Sequence, residues 1–208
     1  RADRKRALED EEMRKVFGRL PELPEVTPDL RHAQNLFILM FLLRGLPFVD
    51  LAYLRKSDLR DNVITYRRRK TGRSLSVTLA PEAMVLLRRY MDRNESSPYL
   101  FPILSSDEGT EEAYREYQLA LRSFNQKLML LGKLMGMEGK LSSYTARHTW
   151  ATTAYHCEIH PGIISEAMGH SSITVTETYL KPFHNKKIDE ANKKIVDFVR
   201  RSTGWAIV

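Results

Sequence analysis

The sequence predicts a mainly helical chain that carries one small antiparallel β-sheet, an α+β fold. Three observations carry this expectation. Apolar residues recur at helical spacing in several separate stretches, for example Leu36, Phe37, Leu39, Met40 and Leu43. One stretch only, residues 62–79 (NVITYRRRKTGRSLSVTL), alternates in the manner of a hairpin around a glycine-containing turn. Prolines stand where helices start or break, as at Pro28, Pro47, Pro81 and Pro182.

Residues 1–20 begin with the basic run Arg1–Arg6, read as a solvated end or as a reader of bases. A helical face of Leu8, Met13, Val16, Phe17 and Leu20 follows. Pro21, Pro24 and Pro28 break it, and a second helix is expected over 28–43. Arg44 then stands directly against an apolar run. It is either a helix-end cation complementing the macrodipole or a phosphate ligand. Pro47 restarts a helical piece, PFVDLAYL.

Residues 63–69 and 74–79 read as strands joined by Lys70-Thr71-Gly72-Arg73. This hairpin gathers Arg67, Arg68, Arg69, Lys70 and Arg73. It suits contact with a nucleic-acid backbone; a charged edge that discourages aggregation is the other reading. Residues 81–94 form a helix with Pro81 at its start, and 98–102 an extended connector. A less regular piece, 105–122, enters a helix near Glu111, and 123–137 is an amphipathic helix whose Met and Leu stripe is core. Gly136 and Gly139 loosen the chain. Residues 186–201 make a last amphipathic helix with Ile188, Ala191, Ile195, Phe198 and Val199 on one side. It packs in cis or onto a neighbouring protomer.

The chain of 208 residues is 42% hydrophobic, enough for one sizeable domain, and carries a formal charge of +7. That excess favours a polyanionic partner, of which nucleic acid is the commonest. A single cysteine, Cys157, excludes an internal disulfide and fits a reducing compartment, so a cytoplasmic protein is expected. The longest apolar run, Leu36 to Leu43, is too short to span a bilayer. The chain opens at Arg1 rather than Met and reads as a piece of a longer protein.

Residues 144–179 concentrate the chemistry: Tyr144, Arg147 and His148, then Gly169 and His170, then Tyr179. Arginine offers a fork for phosphate oxygens, histidine moves or holds a proton near neutral pH, and tyrosine can act as a covalent nucleophile. Thr174 with Glu177 has the wording of a capping box. The pattern Tyr144-x-x-Arg147-His148, then Met168-Gly169-His170-Ser171-Ser172, then Tyr179 nine positions after His170, resembles the tyrosine recombinase (phage integrase) family. The likeness runs from about Ala7 to Phe198, and the wording RGLPFVDLAYL resembles integrases of Bacteroides-type mobile elements.

The resemblance implies a tyrosine recombinase catalytic-domain fold with about three strands, spanning 1–208 as one domain, with the upstream core-binding domain absent. It implies a bacterial, nucleoid-associated enzyme of DNA recombination and integration, acting on double-stranded DNA as a tetramer joined through the C-terminal helix. Tyr179 would attack the scissile phosphate and form a 3′-phosphotyrosyl link. Arg147 and His170 would hold the phosphate, and Lys70 would protonate the leaving 5′-oxygen. Asp50 would brace the site arginines, and Tyr144 and His148 would support the phosphate. No metal and no other cofactor is needed, because the covalent intermediate keeps the bond energy.

Two positions depart from the family pattern. Pro47 occupies the slot of the first active-site arginine, leaving Arg44 or Arg68 as substitutes, and Tyr144 stands where histidine is usual. A decayed DNA-binding module, a type IB topoisomerase-like enzyme and a basic RNA-associated scaffold are the alternatives. The pair His156 and His160 does not spell a metal motif. Trp150 reads as core.

Overall fold

Helix α1 (Asp10–Phe17) opens the fold with acidic residues in its first turn and basic ones in its last, complementing its dipole. This computed structural model of the chain describes residues 7–18, 24–137, 141–178 and 183–205. The expectations for Arg1–Arg6, Leu20, Pro21, Gly139 and the stretch Tyr179 to Pro182 lie outside the described residues.

Helix α2 (Pro28–Leu42) is the central post. Thr27 caps it by accepting from the Leu30 N–H at 3.3 Å, and Pro28 sits where no amide hydrogen is missed. It buries Leu30, Ala33, Leu36, Phe37, Leu39 and Met40, as its apolar spacing predicts. Gln34, buried on the same helix, donates to the Val16 carbonyl at 2.8 Å and so ties α1 down. The chain leaves α2 through two consecutive left-handed residues, Arg44 (φ 63°) and Gly45 (φ 69°), and enters α3 (Phe48–Tyr53) after Pro47.

The sheet has three antiparallel strands in the order β1 (Leu59–Arg60), β2 (Val63–Arg67), β3 (Ser74–Thr78). β1 and β2 are joined by Asp61 and Asn62, both at positive φ (48° and 64°), the conformation two-residue hairpin loops require. On β3, Leu75 and Val77 point inward while Ser74, Ser76 and Thr78 face out. β2 ends at Arg67, two residues short of the strand expected from alternation. The Arg68 amide donates to the Arg73 carbonyl at 2.8 Å and the Gly72 amide to the Arg68 carbonyl at 2.7 Å, so the chain is already turning at Arg68.

Helix α4 (Pro81–Tyr90) buries Ala83 and Leu87. The expected irregular piece and amphipathic helix are one element, α5 (Glu111–Leu134), 24 residues long. Thr110 caps it, accepting from the Ala113 N–H at 3.2 Å. Glu116, on its second turn, accepts from the Ser105 and Ser106 amides and fastens the preceding loop to the helix. Helix α6 (Ser143–His156) packs on α2, α5 and α7 (Pro161–Met168). Helix α8 (Ile173–Glu177) starts after Ser172, which corrects the capping box expected at Thr174: that residue already lies inside the first turn. Helix α9 (Asn185–Thr203) buries none of its residues. One large cluster from α1 to α6 and the sheet, including Phe37, Met40, Leu51, Ile64, Leu87 and Leu128, forms the core. Trp150, expected in the core, is only partly buried against Ala151, Ile164 and Met168.

The α2–α6 contact sets the position of the site. A Cβ on Gly45 would lie 2.7 Å from the Arg147 Cα, so only glycine lets the two backbones meet here. Gly45→Ala is expected to cost about 2 kcal/mol or more, from the left-handed backbone plus the clash. Urea unfolding checks it, and a stability change within about 0.5 kcal/mol of wild type refutes the contact's role.

Candidate active site

Three elements converge on the site. The β2–β3 turn brings Arg68, Lys70 and Thr71, α6 brings Arg147, and the α7–α8 turn brings His170. The turn after α7 exists because Gly169 adopts a left-handed cap (φ 66°). A Cβ there would meet Leu75 Cδ1 at 2.8 Å and Arg68 Cδ at 3.3 Å, so the hairpin rests directly on this glycine. The contact is sealed by hydrogen bonds. Arg68 Nη1 and the Thr71 hydroxyl both donate to the Gly169 carbonyl, at 2.9 and 3.0 Å. Arg73 Nη2 donates to the Ser171 carbonyl at 3.3 Å.

Arg147 is fixed from two sides. Its Nη1 donates to the Gly45 carbonyl at 2.9 Å and its Nη2 to the Met168 carbonyl at 2.7 Å. The guanidinium therefore bridges the end of α2 and the end of α7. Arg147, Arg68, Asp50 and His170 are 4%, 6%, 3% and 1% exposed, so four ionisable groups have been withdrawn from water at one place. Such withdrawal is costly for structure alone and is characteristic of sites that bind charge.

Asp50, on α3, accepts from the Arg69 amide at 3.0 Å. Burial raises its pKa; that hydrogen bond and the positive fields of Arg68, Arg147 and Arg69 oppose the rise. His170 is driven the other way, to about 4, by burial and then by the charges of Arg147, Arg68 and Lys70. It is a neutral imidazole at pH 7. Its Nδ1 lies 2.7 Å from the Thr176 hydroxyl of α8. Tyr66, a phenol on β2, is pushed well above its ordinary value, chiefly by burial and then by Asp50.

The remaining expected residues divide. Lys70 is exposed at the turn, close enough for its charge to reach His170. Arg67 and Arg73 are exposed beside it. Arg69, expected among the cations that meet nucleic acid, is engaged elsewhere: Nη1 contacts Glu108 at 2.8 Å, and its guanidinium lies 3.7 Å from the centre of the Tyr53 ring. Tyr144 stands exposed on the first turn of α6, and His148 is partly buried beside Arg147. Arg44 lines a cleft of about 700 Å³ bounded by Arg73, Ser74, Trp150, Ile163 and Glu166, and its charge reaches Tyr66 together with those of Arg147 and Arg68. Arg68 has a buried Nε with no hydrogen-bond partner among the described residues. Tyr179 lies outside the described residues. Among the described residues, no cluster of three or more His, Cys, Asp or Glu is placed to hold a metal ion, and no helix is long and apolar enough to cross a membrane.

Sequence reasoning passed over Thr176 and Thr71. Threonines stand at 174, 176 and 178, and nothing in their order marks the middle one as buried.

A mainly helical α+β domain in which a buried arginine and histidine meet a basic hairpin defines the tyrosine recombinase catalytic fold. Comparison with known proteins agrees: the phage integrase family matches residues 9–186, and the chain belongs to that family. Tyrosine recombinase XerA of Pyrococcus furiosus is 25% identical over 179 residues, 85% of this chain and 57% of the relative. XerA of Thermococcus kodakarensis is 26% identical over 195 residues, 91% of this chain and 64% of the relative. The chain thus spans about three-fifths of the curated relatives it matches. Among solved structures, XerA recombinase superposes with TM-score 0.60 at 19% identity, covering 93% of this chain and 65% of that one. The Tn1549 transposon integrase, in complex with transposon right end DNA, superposes with TM-score 0.64 at 15% identity, covering 92% and 66%. These two likenesses concern the fold.

Proposed function

We propose that this chain is the catalytic domain of a site-specific DNA recombinase or integrase that cuts and rejoins strands through a 3′-phosphotyrosine intermediate. The observation that supports this best is the convergence of Arg147, Arg68 and His170 at the docked hairpin that carries Lys70. Tyr179 attacks the phosphorus, its phenolic proton passing to solvent water, and the bond to the 5′-oxygen breaks. Lys70 protonates that oxygen as it leaves. Arg147 and Arg68 stabilise the charge on the nonbridging oxygens, and neutral His170 donates a hydrogen bond to the same phosphate. Asp50 balances the buried cations. Attack by a 5′-hydroxyl of another strand reverses the steps and reseals the chain.

Arg68, rather than Arg44, is the substitute for the first arginine in this reading. A buried N–H without a partner costs about 1–3 kcal/mol, and a phosphate oxygen beside Arg68 Nε would repay it. Arg67 and Arg73 follow the DNA backbone. The apolar face of α9, with Ile195 63% and Phe198 66% exposed, joins protomers into a tetramer on DNA. The protein acts in the cytoplasm with a core-binding domain elsewhere in its full chain.

Covalent capture tests the reading. The parent protein is mixed with a nicked duplex bearing its attachment site, denatured, and examined for a DNA-linked band. A band is expected. Arg68→Ala should lower its yield about 10²–10³-fold and Arg44→Ala less than about tenfold. The reverse ranking rejects the role given to Arg68. No band from a protein that binds DNA rejects the recombinase reading.

A further inference from the structure

We propose that Thr176 is a positioning residue that locks His170 in the tautomer carrying its proton on Nε2. The inference rests on the recombinase reading for its functional consequence, and on the geometry of two side chains for its chemistry.

Thr176 is 0% exposed, and the one hydrogen bond its hydroxyl makes among the described residues is the 2.7 Å contact with His170 Nδ1. A hydroxyl has one hydrogen to donate, and a buried one left undonated is costly. If Nδ1 carried the proton, the imidazole would be the donor in this contact and the Thr176 hydrogen would have no acceptor among the described residues. If Nδ1 is bare, Thr176 donates to it and both groups are satisfied. In a neutral imidazole the proton then resides on Nε2. The surroundings keep the ring neutral: Arg147 of α6 and Arg68 and Lys70 of the hairpin all face it with positive charge.

The consequence is directional. With its proton on Nε2, His170 has there a donor suited to a nonbridging phosphate oxygen and no lone pair to take a proton from an attacking phenol. Thr176 thereby decides which of two roles an active-site histidine plays. Its place on α8 suits this task, because α8 begins three residues after His170 and packs against α7, so both partners are held by one α7–α8 unit.

Two arms test the proposal. In the first, nitrogen-15 NMR of the protein without DNA at neutral pH reads the His170 ring, assigned by its loss in His170→Gln. Wild type and Thr176→Ser are expected in the Nε2–H form. Thr176→Val, which keeps the shape and removes the hydroxyl, is expected to shift to a mixture or to Nδ1–H. An Nδ1–H or doubly protonated ring in wild type overturns the proposal, as does an unchanged tautomer in folded Thr176→Val. In the second arm, covalent capture is expected to fall about tenfold in Thr176→Val and to recover in Thr176→Ser. Equal capture in all three proteins removes the functional role. Should Thr176→Val not fold, the wild-type tautomer decides alone. Absence of capture in every protein counts against the recombinase reading, whereas the NMR arm judges the tautomer independently of it.

Discussion

Tyr179→Phe is expected to abolish the DNA-linked band while leaving the affinity for duplex DNA within about twofold of wild type. Phenylalanine keeps the ring and removes the one oxygen that can form the phosphoester. Two of the hydroxyls described near Arg147 and His170 are poor replacements. Thr176 is turned toward His170, and Tyr66 is a partly buried phenol whose ionisation is suppressed by desolvation and by the nearby Asp50 carboxylate. Serine, threonine and tyrosine hydroxyls are weak nucleophiles unless a neighbour activates them. Arg147, Arg68 and Lys70 would remain, with no hydroxyl at position 179 to attack the phosphate. Binding is carried mainly by phosphate contacts from basic side chains and is unaffected by a neutral change. Denaturing electrophoresis beside a gel-shift titration at fixed salt checks both halves. A persisting band would place the nucleophile elsewhere. Loss of band together with loss of binding would mean that the substitution acts on the fold instead.

Arg147→Ala is expected to lower cleavage by about 10³–10⁵-fold, the range over which an arginine acts on a phosphoryl transition state. A buried guanidinium with both ends anchored is preorganised, so its charge is delivered with little reorganisation as the phosphate develops charge. The same anchoring makes the alanine variant less stable than a surface arginine would suggest. The Gly45 and Met168 carbonyls both lose their donor, at about 1–3 kcal/mol for each buried group left unsatisfied. Arg147→Lys separates the two effects. It keeps a charge and one hydrogen bond but not the fork, and it should recover stability more than activity. Single-turnover cleavage with a nicked duplex and urea unfolding of each variant provide the readings. A folded Arg147→Ala protein that cleaves within about tenfold of wild type would refute the site.

Much of the architecture was legible in the sequence because it depends on local physics. Pro28 marks the start of α2, and the apolar spacing after it names the face that α2 buries. The alternation around Gly72 marks the β2–β3 hairpin. The short strand β1 was not located, since two residues carry no period. The split of α5 into an irregular piece and a helix failed for a related reason. Its first half is only weakly apolar and is held by the Thr110 cap and by Glu116 bonding back to Ser105 and Ser106. Those bonds join residues about ten apart, beyond the reach of a periodicity argument.

The site divides in the same way. The order and spacing of Arg147, His170 and Tyr179 single out these residues without any coordinates. Their roles depend on what surrounds them, and that is decided by contacts between distant parts of the chain. Five basic residues on one hairpin look equivalent as sequence. Packing buries Arg68 on Gly169, binds Arg69 to Glu108 and Tyr53, and leaves Arg67, Lys70 and Arg73 exposed. The neutral state of His170 comes from burial and from cations on two other elements. The sequence by itself carried the resemblance to the family, most of the helices, and the order and spacing of Arg147, His170 and Tyr179, because these are matters of linear pattern. Tertiary structure alone decided which cations are withdrawn from water and how His170 is held. Desolvation and hydrogen bonding act between groups about a hundred residues apart in the chain, as Arg68 and Gly169 are.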